Sequence, residues 1–135
     1  MRASFVFTLA ASESIGICLL DDDRSSLKAT SRLLSSVGWQ PKSFSDPIVF
    51  LRHAQAYLPR VAVLDVLMPR MNGLEVQRRL CKVSPLTRII FLTGKDDPAV
   101  RSKALAAGAS AFFLKGEPND EFLAGVQAAI SENAK

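Results

Sequence analysis

Five residues far apart in the chain can do chemistry together once a fold brings them close. They are Asp21 and Asp22 in "LLDDD", Asp65 in "LDVLMPRMNG", Thr93 in "FLTG" and Lys115 in "AFFLKG". Crowded carboxylates repel one another, so a cluster of acids either lifts a pKa or recruits a cation. The donors are all oxygen, with no His or Cys in the pattern, so the cation is a hard one. Mg2+ is the natural choice, keeping several waters in an octahedral shell. The Thr93 hydroxyl and the compact Lys115 ammonium, together with the metal, can hold the oxygens of a phosphoryl group. This gives Asp65 a use: with its charge screened, its free carboxylate oxygen is a nucleophile aimed at phosphorus. Positioning and charge neutralisation are most of what phosphoryl transfer asks of a protein.

The elements that must position these residues are legible as alternating apolar runs and helical patterns. "IGICLL" (15–20), "WQPKSF" (39–44, the weakest), "RVAVLD" (60–65), "RIIFLT" (88–93) and "SAFFLK" (110–115) read as strands. Between them lie "RSSLKATSRLLSSV", with Leu27, Leu33, Leu34 and Val37 expected on one face, then "PIVFLRHAQAY", "LEVQRRLCKV" and "PAVRSKALAA", with "DEFLAGVQAAISE" closing the chain. Asp46-Pro47 and Asp97-Pro98 each offer an N-cap followed by Pro at the first helical position, and Gly38 and Gly108 sit where a left-handed residue ends a helix. Strict alternation implies an α/β fold, a parallel sheet covered on both faces by right-handed crossovers. All strands of such a sheet end on one edge. Asp21, Asp22, Asp65, Thr93 and Lys115 stand at the ends of four of them, at the crevice where open α/β sheets bind ligands.

Composition bounds the alternatives. The 135 residues, 48% hydrophobic and 22% charged, suit one soluble domain with a core large enough to need neither disulfide nor structural metal. The net charge of +4 comes from scattered basic residues, which argues against a nucleic-acid face. No apolar run reaches the roughly 20 residues that cross a bilayer. Cys18 lies in an apolar run and Cys81 in a helical pattern, so both are expected as buried or semi-buried free thiols of a cytoplasmic protein. "MRASFVFTLAAS" imitates a secretory signal, but its charged region is thin. Residues 1–14 are expected to be a poorly ordered extension, and 15–132 the domain.

The ordered set "LLDDD", "LDVLMPRMNG", "FLTG" and "AFFLKG" resembles the response-regulator receiver domains of two-component signalling, over about Ile15 to Ile130. The resemblance implies a CheY-like (flavodoxin-like) three-layer sandwich: a five-stranded parallel sheet in the order 2-1-3-4-5 with five helices. It further implies that Asp65 is the phosphoacceptor, that Asp21 and Asp22 hold Mg2+ with Asp65 and the backbone carbonyl of Leu67, and that Thr93 and Lys115 grip the phosphoryl oxygens. Thr93 and Phe112 fall at the family's switch positions, whose movement remodels the face made by the fourth helix, fifth strand and fifth helix. On this reading the chain is a signalling domain rather than an enzyme, although it takes part in its own phosphorylation and dephosphorylation. Its partners are a sensor histidine kinase or phosphotransfer protein, an output domain or downstream protein, and a second copy on phosphorylation; nucleic acid and membrane are not contacted directly. A stand-alone receiver and a piece of a longer transcription regulator both fit, with LuxR- and FixJ-type receivers the most alike. Receivers commonly carry Pro after the lysine, through a cis bond; here Gly116 follows Lys115, and an ordinary trans turn is expected.

Plainer roles are expected for other residues. Asp23 caps the first helix, Met68 and Met71 pack or shape the loop, and Asn72-Gly73 opens the third helix. Trp39 packs at the start of the second strand, and His53 is a solvated surface residue. Two other functions share parts of the pattern. A phosphohydrolase of the haloacid-dehalogenase type also uses an aspartyl nucleophile with Thr and Lys, but needs a further acidic pair beyond the lysine, where only Glu117, Asp120, Glu121 and Glu132 remain. A pseudo-receiver would bind partners without phosphorylation.

Overall fold

The computed structural model describes residues 15–133. Strands and helices alternate: β1 (Ile17–Leu20), α1 (Arg24–Ser36), β2 (Lys42–Phe44), α2 (Pro47–Tyr57), β3 (Val61–Leu64), α3 (Gly73–Val83), β4 (Arg88–Thr93), α4 (Pro98–Ala106), β5 (Ala111–Leu114) and α5 (Asn119–Asn133). The strands form one parallel sheet in the order β2-β1-β3-β4-β5, as the resemblance implied. The extension read at 1–14 lies outside the described residues. No described helix is long and apolar enough to cross a membrane.

Period-two alternation divides the core into two layers. Ala62 and Leu64 of β3 face Phe50, Ala54, Val76, Leu80 and Ala104 from α2, α3 and α4. Val61 and Val63 of the same strand face Leu34, Phe122, Val126 and Ile130 from α1 and α5. Because β1, β3 and the middle of β4 are buried on both sides, they read as continuous apolar runs.

Helix starts follow the side chains that satisfy their free N–H groups. Asp23 accepts from the amides of Ser25 and Ser26, Asp46 from Ile48 and Val49, Asn72 from Glu75, and Asp97 from Ala99 and Val100. Gly38 and Gly108 take φ of +100° and +104° just past α1 and α4, a conformation that favours glycine. Met68 is buried, Met71 packs against the same layer, and Trp39 against the other.

Four expectations need correction. Val37 is not on the buried face of α1: it is the C-cap, where the helix ends and turns away from the sheet, and it is exposed. Cys81 lies on the outer face of α3 and is exposed; only Cys18 is buried, and burial pushes its thiol up to about 12. His53 is half-buried rather than solvated, stacked on Tyr57 at 4.7 Å and against Phe44 at 5.0 Å. Burial and the charge of Lys42 lower its pKa. The second strand is shorter than "WQPKSF", beginning at Lys42, so Trp39 precedes it.

Candidate functional site

Each site residue is set by a backbone bond between neighbouring strand ends. The amide of Asp21 donates to Phe44 O at 3.1 Å, that of Asp65 to Leu20 O at 3.0 Å and that of Lys115 to Thr93 O at 2.8 Å. Three side chains leave the sheet at one crevice because the ladder itself extends one residue past Leu20, Leu64 and Leu114, while Thr93 ends β4.

One carboxylate oxygen from each of Asp21, Asp22 and Asp65 lies within 4.8 Å of the others, in the only such acidic group found among the described residues. Asp21 and Asp65 are buried and Asp22 is exposed. One oxygen of Asp21 accepts the Asp23 amide at 2.9 Å, and the other accepts Lys115 Nζ at 2.6 Å. The same ammonium lies 3.7 Å from Asp65 Oδ2. The Thr93 hydroxyl and the Val66 amide donate to the Asp65 carboxylate. Despite these donors the Asp65 pKa is raised to about 6, first by burial and then by Asp21. One ammonium does not balance the acids beside it, and the pocket retains an unmet demand for positive charge.

The loop after Asp65 is seated by its own residues. The Gly73 amide donates to Val66 O at 2.8 Å. A Cβ at Gly73 would overlap the Asp65 carbonyl oxygen and come within 2.9 Å of Phe91 Cε1, so only glycine lets α3 start this close to the site. From the same loop, Arg70 pairs with Asp46 at 2.9 Å, tying the loop to the start of α2. Gly116 meets the turn after Lys115 with φ of +87°, and no described peptide bond is cis. The trans turn expected at Lys115–Gly116 is therefore present, with Lys115 directed into the pocket.

All five residues of the acid, hydroxyl and ammonium pattern thus share the crevice. Leu67 lies in the loop beyond Asp65 with its side chain exposed. Phe112 is apart from the acids: it is buried in the layer under α4, its ring 5.9 Å from that of Phe91 and 5.8 Å from the Arg101 guanidinium. The sequence reading missed the steric role of Gly73 and the Arg70–Asp46 tie. Asn-Gly before a helical pattern signals the first only in part, and nothing local signals the second. Glu117, in the turn beyond Lys115, accepts the Leu114 amide at 3.3 Å instead of joining the cluster.

Comparison with known proteins agrees with this geometry. The family model for the response regulator receiver domain matches residues 17–127. Response regulator protein TodT of Pseudomonas putida is 40% identical over 114 residues, covering 84% of this chain and 50% of that protein. Response regulator MprA of Mycobacterium ulcerans is 34% identical over 117 residues, covering 87% and 50%. The chain therefore spans about half the length of the curated relatives it matches. Among solved structures, the BeF3-activated DrrB receiver domain superposes with a TM-score of 0.75 at 31% identity, covering 86% of this chain and 97% of that one. Sheet order, the crevice of acids and the extent of the family match lead to one assignment: the chain belongs to the response regulator receiver domains of two-component signalling.

Proposed function

We propose that the domain, over residues 15–132, accepts a phosphoryl group on Asp65 from a phosphohistidine of a sensor kinase or phosphotransfer protein. The observation that carries this reading is the placement of one buried carboxylate beside a hydroxyl and an ammonium, with two further acids in reach. A carboxylate oxygen of Asp65 attacks phosphorus, the P–N bond of the donor breaks, and the leaving imidazole keeps the electron pair and takes up a proton. Thr93 donates its hydroxyl to a phosphoryl oxygen. Lys115 exchanges its Asp21 partner for the new charge with little movement, since its ammonium already lies 3.7 Å from Asp65.

The donor set fits Mg2+: all oxygen, three carboxylates within 4.8 Å, and a net negative pocket. Asp21, Asp22, Asp65 and the Leu67 carbonyl are the residues that would hold it. When bound, the ion supplies the charge neutralisation that lets an anion approach an anion. The output is carried by the face of α4, β5 and α5, with Thr93 and Phe112 as the switch residues, toward an output domain, a downstream protein or a second copy. Transcription control is the output that the resemblance to LuxR- and FixJ-type receivers favours.

Incubation with acetyl phosphate or phosphoramidate and Mg2+ tests this reading by intact mass. One phosphoryl group is expected, lost in Asp65→Asn and on chelation with EDTA. Labelling that persists in Asp65→Asn would place the acceptor elsewhere.

A further inference from the structure

Helix α4 is held most firmly at one end. Its single buried residue is Ala104, near its carboxyl terminus. There the Ala104 carbonyl accepts two donors, the Ala109 amide at 3.0 Å and the side-chain amide of Gln77 at 3.0 Å. The other end follows Thr93 through Gly94, Lys95 and Asp96, all exposed. Gln77 itself is 2% exposed, on the inner face of α3. One turn before it stands Gly73, in contact with the Asp65 backbone. The residue that grips α4 thus belongs to a helix seated against the site itself.

Burying an amide is costly unless its bonds are made, and an apolar side chain would fill the same space without that cost. The amide's contribution is directional: it fixes where α4 lies along α3. Val100 packs partly on the core and Arg101 sits over the Phe112 ring, so the less buried part of the helix bears on the residue read as the aromatic switch. From Ala104 back to Pro98 the helix forms an arm of about 9 Å, whose tip moves about 1.5 Å for each 10° of tilt.

We propose that Gln77 is the pivot of α4, a positioning residue that holds the carboxyl-terminal end still while movement begun at Thr93 swings the amino-terminal end. The proposal rests on the phosphoacceptor reading for the cause of the movement, but the pivot itself exists without it. Gln77→Leu is a fair test because the Ala104 carbonyl keeps the Ala109 amide as donor; Gln77→Met is the second variant should Leu fail to fold.

Two measurements on the whole chain decide it. Without metal or phosphate mimic, amide exchange at Ala107, Gly108 and Ala109 is expected to speed by about threefold to tenfold in Gln77→Leu, the loss of one net hydrogen bond, with α3 unchanged. Unaltered protection at these amides overturns the pivot. With beryllofluoride and Mg2+, amide shift changes in the unsubstituted protein should decline from Val100 to Ala107. In Gln77→Leu that gradient should flatten while Val66 and Leu67 respond as before, an outcome that a merely stabilising role would not produce. A flat profile in the unsubstituted protein, or a gradient untouched in the variant, also overturns it. If Val66 and Leu67 never respond, the phosphoacceptor reading fails and amide exchange alone judges the pivot.

Discussion

Ser84 and Thr87, beneath the amino-terminal edge of the sheet, are buried to much the same degree as Asp21 and Asp65 at the carboxyl-terminal edge. The two pairs solve burial differently. Thr87 has one hydroxyl proton and gives it to Pro59 O at 2.6 Å, so the 2.6 Å contact with Ser84 has Ser84 as donor. That network is neutral and closed, and it locks the entries to β3 and β4. At the other edge, three acids share one lysine, and the Asp65 pKa rises to about 6 for want of compensation. A fold can therefore bury polar groups either to end their chemistry or to keep it available, and the difference lies in whether the charges sum to zero.

The sharpest break in this comparison is steric. Gly73→Ala, at the active edge, is expected to cost about 3 kcal/mol or more in denaturant unfolding, because the overlap is with backbone that cannot yield. A loss under about 1 kcal/mol would mean that α3 is not seated on Asp65. Thr87→Val should cost about 2 kcal/mol by leaving the Ser84 hydroxyl without its acceptor and the Pro59 carbonyl without its donor, equally at pH 4 and pH 8 and with or without Mg2+.

Asp65→Asn should do the opposite of Thr87→Val. The folded-state pKa of Asp65, about 6 against 3.8, means that the native state holds this proton more tightly than the unfolded chain. Ionisation therefore costs native stability as pH rises from about 4 to about 6, and the full cost remains above that. In EDTA at pH 8, Asn should stabilise by about 1 kcal/mol, a figure reduced for solvent screening, and the gain should vanish near pH 4. Excess Mg2+ should erase it by stabilising the unsubstituted protein. A melting-temperature series across pH, with and without Mg2+, reads both signs. Smallest of all, Arg70→Ala breaks an exposed pair and should shift stability by less than about 0.5 kcal/mol; a larger change would mean that the Arg70–Asp46 tie shapes the acidic crevice.

By itself the chain determined its alternating elements, its caps at Asp23, Asp46 and Asp97, and the alignment of Asp21, Asp65, Thr93 and Lys115 on one edge. These follow from short-range rules: periodicity, capping chemistry and the common direction of parallel strands. Other features belong to the tertiary structure. Periodicity did not tell that Val37 and Cys81 face water, because a helical pattern names a face but not how far the neighbouring element covers it. Nor did local pattern show Lys115 hydrogen-bonded to Asp21 while standing 3.7 Å from Asp65, Gly73 pressed on the Asp65 carbonyl, His53 between two rings, or Gln77 reaching Ala104. Each of these joins residues from different elements, at distances set by how helices settle on a twisted sheet; packing of the whole chain decides such contacts, and no stretch of sequence contains them.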